Sequence, residues 1–134
     1  MVFEVKNELE NRTMRLKPSV ALYSVCDFMG LEMPGLAILL HEEGPKDENE
    51  YVLTVSFGEF IGIKNAAYID VNNCRFANEL LKYDIAKPTD FTKKSGFCTY
   101  PLWVFKEEFL REIGGEPYKQ YSDAYDKYMC EMLF

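Results

Sequence analysis

The sequence predicts an α+β domain: a single, mostly antiparallel sheet of about five or six strands, with two or three helices packed on it and an amphipathic helix at the C-terminus. Three observations predict it. Short runs of alternating or wholly apolar residues recur through the first two thirds of the chain, separated by turn signals. Residues 51–57, Tyr-Val-Leu-Thr-Val-Ser-Phe, place Tyr51, Leu53, Val55 and Phe57 on one face and Val52, Thr54 and Ser56 on the other, which marks a half-buried strand at the centre of the sheet. Apolar stripes at helical spacing then appear near residues 74–84, 106–113 and 117–132. A chain of 134 residues is expected to form one domain that buries about two-thirds of its unfolded surface without a disulfide or metal.

Taken in order, residues 2–6 alternate weakly and suit an edge strand, and residues 13–17 form a second run that ends at Pro18. Residues 19–28 and 36–41 read as strands apolar on both faces, with Pro34-Gly35 marking the turn between them. Residues 42–50 carry five carboxylates and one lysine around Gly44-Pro45 and read as a solvated loop. After residues 51–57, Ala66 to Val71 supplies a neighbouring strand. Asn72-Asn73 then caps a helix carrying Phe76, Ala77, Leu80 and Leu81 as its stripe. Residues 91–105 are aromatic and irregular, and Pro101 places that strand on an edge or at a bulge. In residues 106–113, Phe109, Leu110 and Ile113 form a stripe, and Gly114-Gly115 stops the helix and is a candidate hinge. Pro117 opens the last helix, along which Tyr118, Tyr121, Tyr125 and Tyr128 recur at three and four.

The net charge of −7 is uneven: residues 1–50 carry −5, residues 51–113 are neutral and residues 114–134 carry −2. An acidic chain repels phosphate backbones, so direct nucleic-acid binding is disfavoured, whereas a basic protein partner or mimicry of DNA stays open. The four cysteines, Cys26, Cys74, Cys98 and Cys130, are dispersed, with no spacing that suggests zinc. They suit reduced thiols in a cytoplasmic protein. The opening residues lack a basic segment followed by an apolar core, so no signal peptide is expected. The apolar run at residues 36–40 is too short to span a membrane. Phosphate-loop, dinucleotide, nucleophile-elbow and metalloprotease motifs are absent, and His41 is the only histidine, so no cofactor is expected and enzyme activity is disfavoured.

Four segments, Gly35-Leu-Ala-Ile-Leu-Leu, Leu53-Thr-Val-Ser, Ala67-Tyr-Ile-Asp-Val-Asn-Asn and Ser95-Gly-Phe-Cys-Thr-Tyr-Pro-Leu, carry a resemblance across about residues 16–113. In them the chain resembles a bacterial family of unknown function. Its members are small cytosolic proteins often encoded on conjugative transposons and plasmids of gut Firmicutes. The resemblance implies a mobile-element accessory protein and carries over no catalytic residue.

Five candidate sites follow. Asp70, Asn72 and Asn73 bunch at a strand end, as a small polar or cation site or simply as a cap and turn. Cys98 is a nucleophile only if a base such as His41 stands within hydrogen-bond reach; otherwise it is a packed thiol. Phe97, Tyr100 and Trp103 offer an aromatic recognition surface. Tyr121 and Tyr125 belong to a stripe that packs on its own domain or, beyond the Gly-Gly hinge, on a partner or second copy. Glu42, Glu43, Asp47 and Glu48 offer an electronegative surface or a solvated loop. Two functions result. One is a non-enzymatic accessory protein acting by protein–protein interaction or self-association, in its sharper form a counter-defence inhibitor of the anti-restriction or anti-CRISPR type. The other is a small-ligand-binding or enzymatic domain around Asp70, Asn72, Asn73 and Cys98.

Overall fold

Alternation builds the longest strand. In β2 (Arg12–Cys26), Met14, Leu16, Pro18 and Val20 point into the core, while Thr13, Arg15, Lys17 and Ser19 stay exposed. The computed structural model describes residues 1–8, 10–44 and 49–133. β2 pairs with β1 (Phe3–Asn7) on one side and β3 (Glu32–Glu43) on the other, and β4 (Glu50–Val52) lies against β3. These four antiparallel strands form one sheet in the order β1-β2-β3-β4. Pro18 does not end its strand, contrary to the sequence reading. The pairing with β1 stops at Leu16, so Pro18 stands where only β3 neighbours β2 and no ladder is broken on the outer side.

The expectation of a single sheet is overturned. Residues 51–57 do not form one strand: β4 belongs to the first sheet, and β5 (Thr54–Val55) opens a second. The crossing point is Leu53. Its N–H donates to the Ile38 carbonyl at 2.9 Å, and its own carbonyl accepts from Asp70 N–H at 2.8 Å, so one residue joins both sheets. The alternation breaks there, because Leu53 and Thr54 are both buried. The second sheet contains β5, β6 (Ala66–Ile69), β7 (Ala86–Ser95) and β8 (Cys98–Phe105), in the order β5-β6-β8-β7, all antiparallel. The architecture is therefore mostly β, with two four-stranded sheets and one C-terminal helix.

The helices are corrected as well. The helix expected at residues 74–84 is a short 3-10 helix, Ala77–Tyr83, with Phe76 at its N-terminal boundary and no side-chain cap. Asn72-Asn73 does not cap it; the Asp70 carboxylate closes the turn instead, accepting from the Asn73 N–H at 3.2 Å and the Asn73 side-chain amide at 2.8 Å. The helices expected at 106–113 and 117–132 form one element, α1 (Glu107–Leu133), kinked at Gly115 with φ 54° and ψ −146°. α1 packs on β2 and β3. Its tyrosines anchor it: Tyr118 donates to Asn65 Oδ1 at 2.9 Å, Tyr121 accepts from the Asn65 N–H at 2.9 Å, and Tyr128 donates to Asp27 at 2.8 Å. Both sheets, the 3-10 helix and α1 share one core in which Phe3, Leu16, Ile38, Leu53, Ile69, Leu80, Trp103 and Leu110 are fully buried. Each such side chain contributes roughly 1.5–3 kcal/mol.

Candidate functional site

The end of β6 and the start of β8 bring the predicted polar residues together. The antiparallel register runs from Ala66 opposite Val104 to Tyr68 opposite Leu102. β6 ends at Ile69, and Asp70 and the turn that follows it lie near Tyr100 at the start of β8. The Tyr100 hydroxyl is held above its usual range, first by its hydrogen bond with Cys98, then by burial and the Asp70 charge; a hydrogen bond with Asn72 opposes the shift. Asp70 in turn orients Asn73 through the two bonds described above. Asp70 and Asn73 thus form a hydrogen-bonded turn, with Asn72, Cys98 and Tyr100 beside it. Tyr100 also packs edge-on against Phe57, with ring centroids 5.5 Å apart.

The cluster is suited to hydrogen bonding. His41 sits in β3 of the other sheet, opposite Lys17 and Glu50, while the Cys98 neighbour is a tyrosine of raised pKa. Cys74 lies next to the cluster but is buried; burial, reinforced by the Asp70 charge, pushes its thiol up to about 12, which leaves it unreactive near neutral pH. Among the described residues, no three His, Cys, Asp or Glu side chains are grouped to hold a metal ion.

Beside the cluster lies a groove of about 450 Å³, bounded by the end of β1, Tyr51 and residues 72–79. Asn72 and Asn73 line it with Lys6, Arg75 and Phe76. A second, much smaller space of about 30 Å³ lies among Tyr23, Phe57, Phe60, Tyr68, Tyr121 and Tyr125. That space suits a water molecule or two and is far smaller than ordinary ligand pockets.

The residues expected to meet a partner divide sharply. Phe97 stands wholly exposed at the β7–β8 turn, whereas Trp103, three residues along β8 from Tyr100, is 1% exposed and belongs to the core. Tyr121 and Tyr125 are buried against their own domain. Glu42 is buried and paired: Arg12 donates to both of its carboxylate oxygens, at 3.2 Å for Nη2–Oε2, and Asn49 donates at 2.9 Å. Of the acidic loop, Glu43 is exposed, while Asp47 and Glu48 lie outside the described residues. None of Trp103, Tyr121, Tyr125 and Glu42 therefore presents a surface.

The structure adds exposed residues that sequence reasoning missed. Phe28, Met29 and Leu31 in the β2–β3 turn are 83%, 77% and 55% exposed, and Phe91 in β7 is 63% exposed. The signal for the turn was an apolar Phe-Met beside Gly30, which adopts φ 83°. The turn is rigidly built despite its exposed side chains. Asp27 accepts from Met29 N–H at 2.9 Å and Leu31 N–H at 2.8 Å, and from Tyr128. Burial acts to raise the Asp27 carboxyl, but these hydrogen bonds outweigh it and hold the group below its usual value. Residues 56–60 connect this turn to the β7–β8 hairpin. Cys26 and residues 58–60 exchange backbone hydrogen bonds of 2.9 and 3.0 Å, while Lys93 of β7 pairs with Glu59 at 2.5 Å and lies over the Phe57 ring.

Residues 23–125 match the family model described as a domain of unknown function (DUF4313). No curated protein and no solved structure matches the chain.

Proposed function

The chain belongs to the DUF4313 family of domains of unknown function, and we propose that it is a non-enzymatic accessory protein that binds another protein through its β2–β3 and β7–β8 hairpin ends. One observation carries this reading: Phe28, Met29, Leu31, Phe91 and Phe97 are all more than half exposed. Large apolar groups gathered on a surface mark contact sites, whereas scattered ones need no explanation. These five lie on two hairpins that residues 56–60 tie together, and the Asp27 network holds one of the ends in a fixed shape. A preorganised surface costs little conformational entropy on binding.

The finer proposal places the protein in the cytoplasm of a gut Firmicute, as the product of a conjugative element that blocks a host nuclease or restriction system. The family resemblance supports that setting, and the net charge of −7 suits a competitor of nucleic acid. No described helix is long and apolar enough to cross a membrane.

The test uses a Phe28→Ser, Phe97→Ser double variant. Both side chains are exposed, so the melting temperature should stay within about a degree or two of the parent. The parent should co-elute at one-to-one stoichiometry with a host protein and inhibit that protein's DNA cleavage, and the variant should do neither. A parent protein that forms no complex in host lysate, or a variant that binds as tightly, would sink the proposal.

A further inference from the structure

We propose that the groove beside the Asn72-Asn73 turn binds a small zwitterion, an α-amino acid or short peptide, through its carboxylate and ammonium groups. This site is separate from the hairpin ends and stands or falls independently of the protein-binding reading.

The groove's volume of about 450 Å³ falls within the roughly 300–1,000 Å³ usual for small-molecule sites. Its charges are the informative feature. Lys6, at the end of β1, and Arg75, in the turn before the 3-10 helix, are exposed cations, and neither side chain forms an ion pair among the described residues. Arg12 and Arg15, by contrast, are paired with carboxylates. Lys6 and Arg75 thus bring two unpaired cations to one groove. Glu8 and Glu79 place two carboxylates on the same groove, and Glu79 accepts from the Lys6 backbone N–H at 3.2 Å.

This lining discriminates by charge. A simple anion meets Lys6 and Arg75 but is repelled by Glu8 and Glu79; a simple cation meets the reverse. A molecule carrying both signs satisfies both sets. The Arg75 guanidinium can grip a carboxylate with two parallel N–H groups. Glu8 is the free acceptor for an ammonium. Asn72 and Asn73 supply amide groups that pair with a peptide or amino-acid backbone, and Asp70 fixes the orientation of Asn73. Phe76, edge-on to Tyr51 with ring centroids 5.4 Å apart, provides an apolar wall for the ligand's side chain.

Calorimetric titration with four probes tests the assignment: L-phenylalanine, the dipeptide alanyl-phenylalanine, 3-phenylpropionate, which lacks the ammonium, and phenethylamine, which lacks the carboxylate. At least one zwitterion should bind saturably at one-to-one stoichiometry. Both single-charge analogues should bind about tenfold more weakly or worse, the loss expected for one charge-assisted hydrogen bond. The tighter of the two zwitterions decides between a free amino acid and a peptide. Arg75→Gln should weaken that zwitterion about tenfold at an unchanged melting temperature, while Lys87→Gln, on the outer strand β7, should leave binding unaffected. The proposal is overturned if neither zwitterion binds, if either analogue binds as tightly, or if Arg75→Gln binds like the parent.

Discussion

Glu42 shows how one residue escapes a reading made from composition. It begins a nine-residue stretch holding five carboxylates, which suggests a solvated loop. In β3, however, it continues the inward series Leu36, Ile38 and Leu40, and it ends up buried beneath Arg12. The strand parity was legible; the partner, thirty positions away, was not. Arg12 holds the Glu42 carboxyl below its ordinary value near 4.5; burial opposes this shift, and Asn49 adds to it. A lowered folded-state pKa contributes stability that is fully present above the ordinary carboxylate range and is lost as pH falls through the lowered value. Glu42→Gln should therefore destabilise the protein at pH 7 by about 1 kcal/mol, the low end for a charged hydrogen-bonded pair because Arg12 stays open to solvent. Parallel thermal melts should show the gap between variant and parent closing as the solution is acidified below pH 4. A gap that persists at pH 2 would show that the effect lies elsewhere.

At the scale of elements, the kink in α1 is the clearest case. Gly114-Gly115 followed by Pro117 marks a helix stop and a helix start, and the break falls at Gly115. Its φ of 54° with ψ of −146° lies in a region essentially restricted to glycine. Gly114 is constrained differently: a Cβ there would stand 2.2 Å from Tyr118 Cβ and 3.5 Å from Val20. The pair thus turns the helix while holding it flush against β2. Gly115→Ala should cost about 1–3 kcal/mol in urea denaturation with an unchanged slope; a cost below about 0.5 kcal/mol would mean that the backbone relaxes freely there. β7 was not legible at all. Pro88 lies inside it, yet a proline is tolerated on an outermost strand, and the register shift between Pro88 and Thr92 absorbs the irregularity.

Across the whole molecule, aromatic residues only a few positions apart in sequence take opposite roles. Trp103 and Phe97 belong to one aromatic run, but Trp103 faces Ala67 across β6 inside the shared core, and Phe97 caps an open turn. Trp103→Ala should cost about 3–5 kcal/mol, a large share of the roughly 5–15 kcal/mol that holds a domain of this size. Phe97→Ser should change stability by less than about 0.5 kcal/mol. Chemical denaturation of the two variants measures the contrast directly, and equal losses would mean that Phe97 packs in solution. By itself the sequence determined that strands dominate the first part of the chain, the turn at Asp70 to Asn73, the break at Gly114-Gly115 and the tyrosine stripe. These depend on backbone preference and on periodicities that a few neighbouring residues encode. Only the tertiary structure decided that residues 51–57 divide between two sheets, that Trp103 is core and Phe97 surface, and that Lys6 and Arg75 share a groove. Those outcomes rest on contacts between residues far apart in the chain, and local alternation reports only that a face is apolar, never what will cover it.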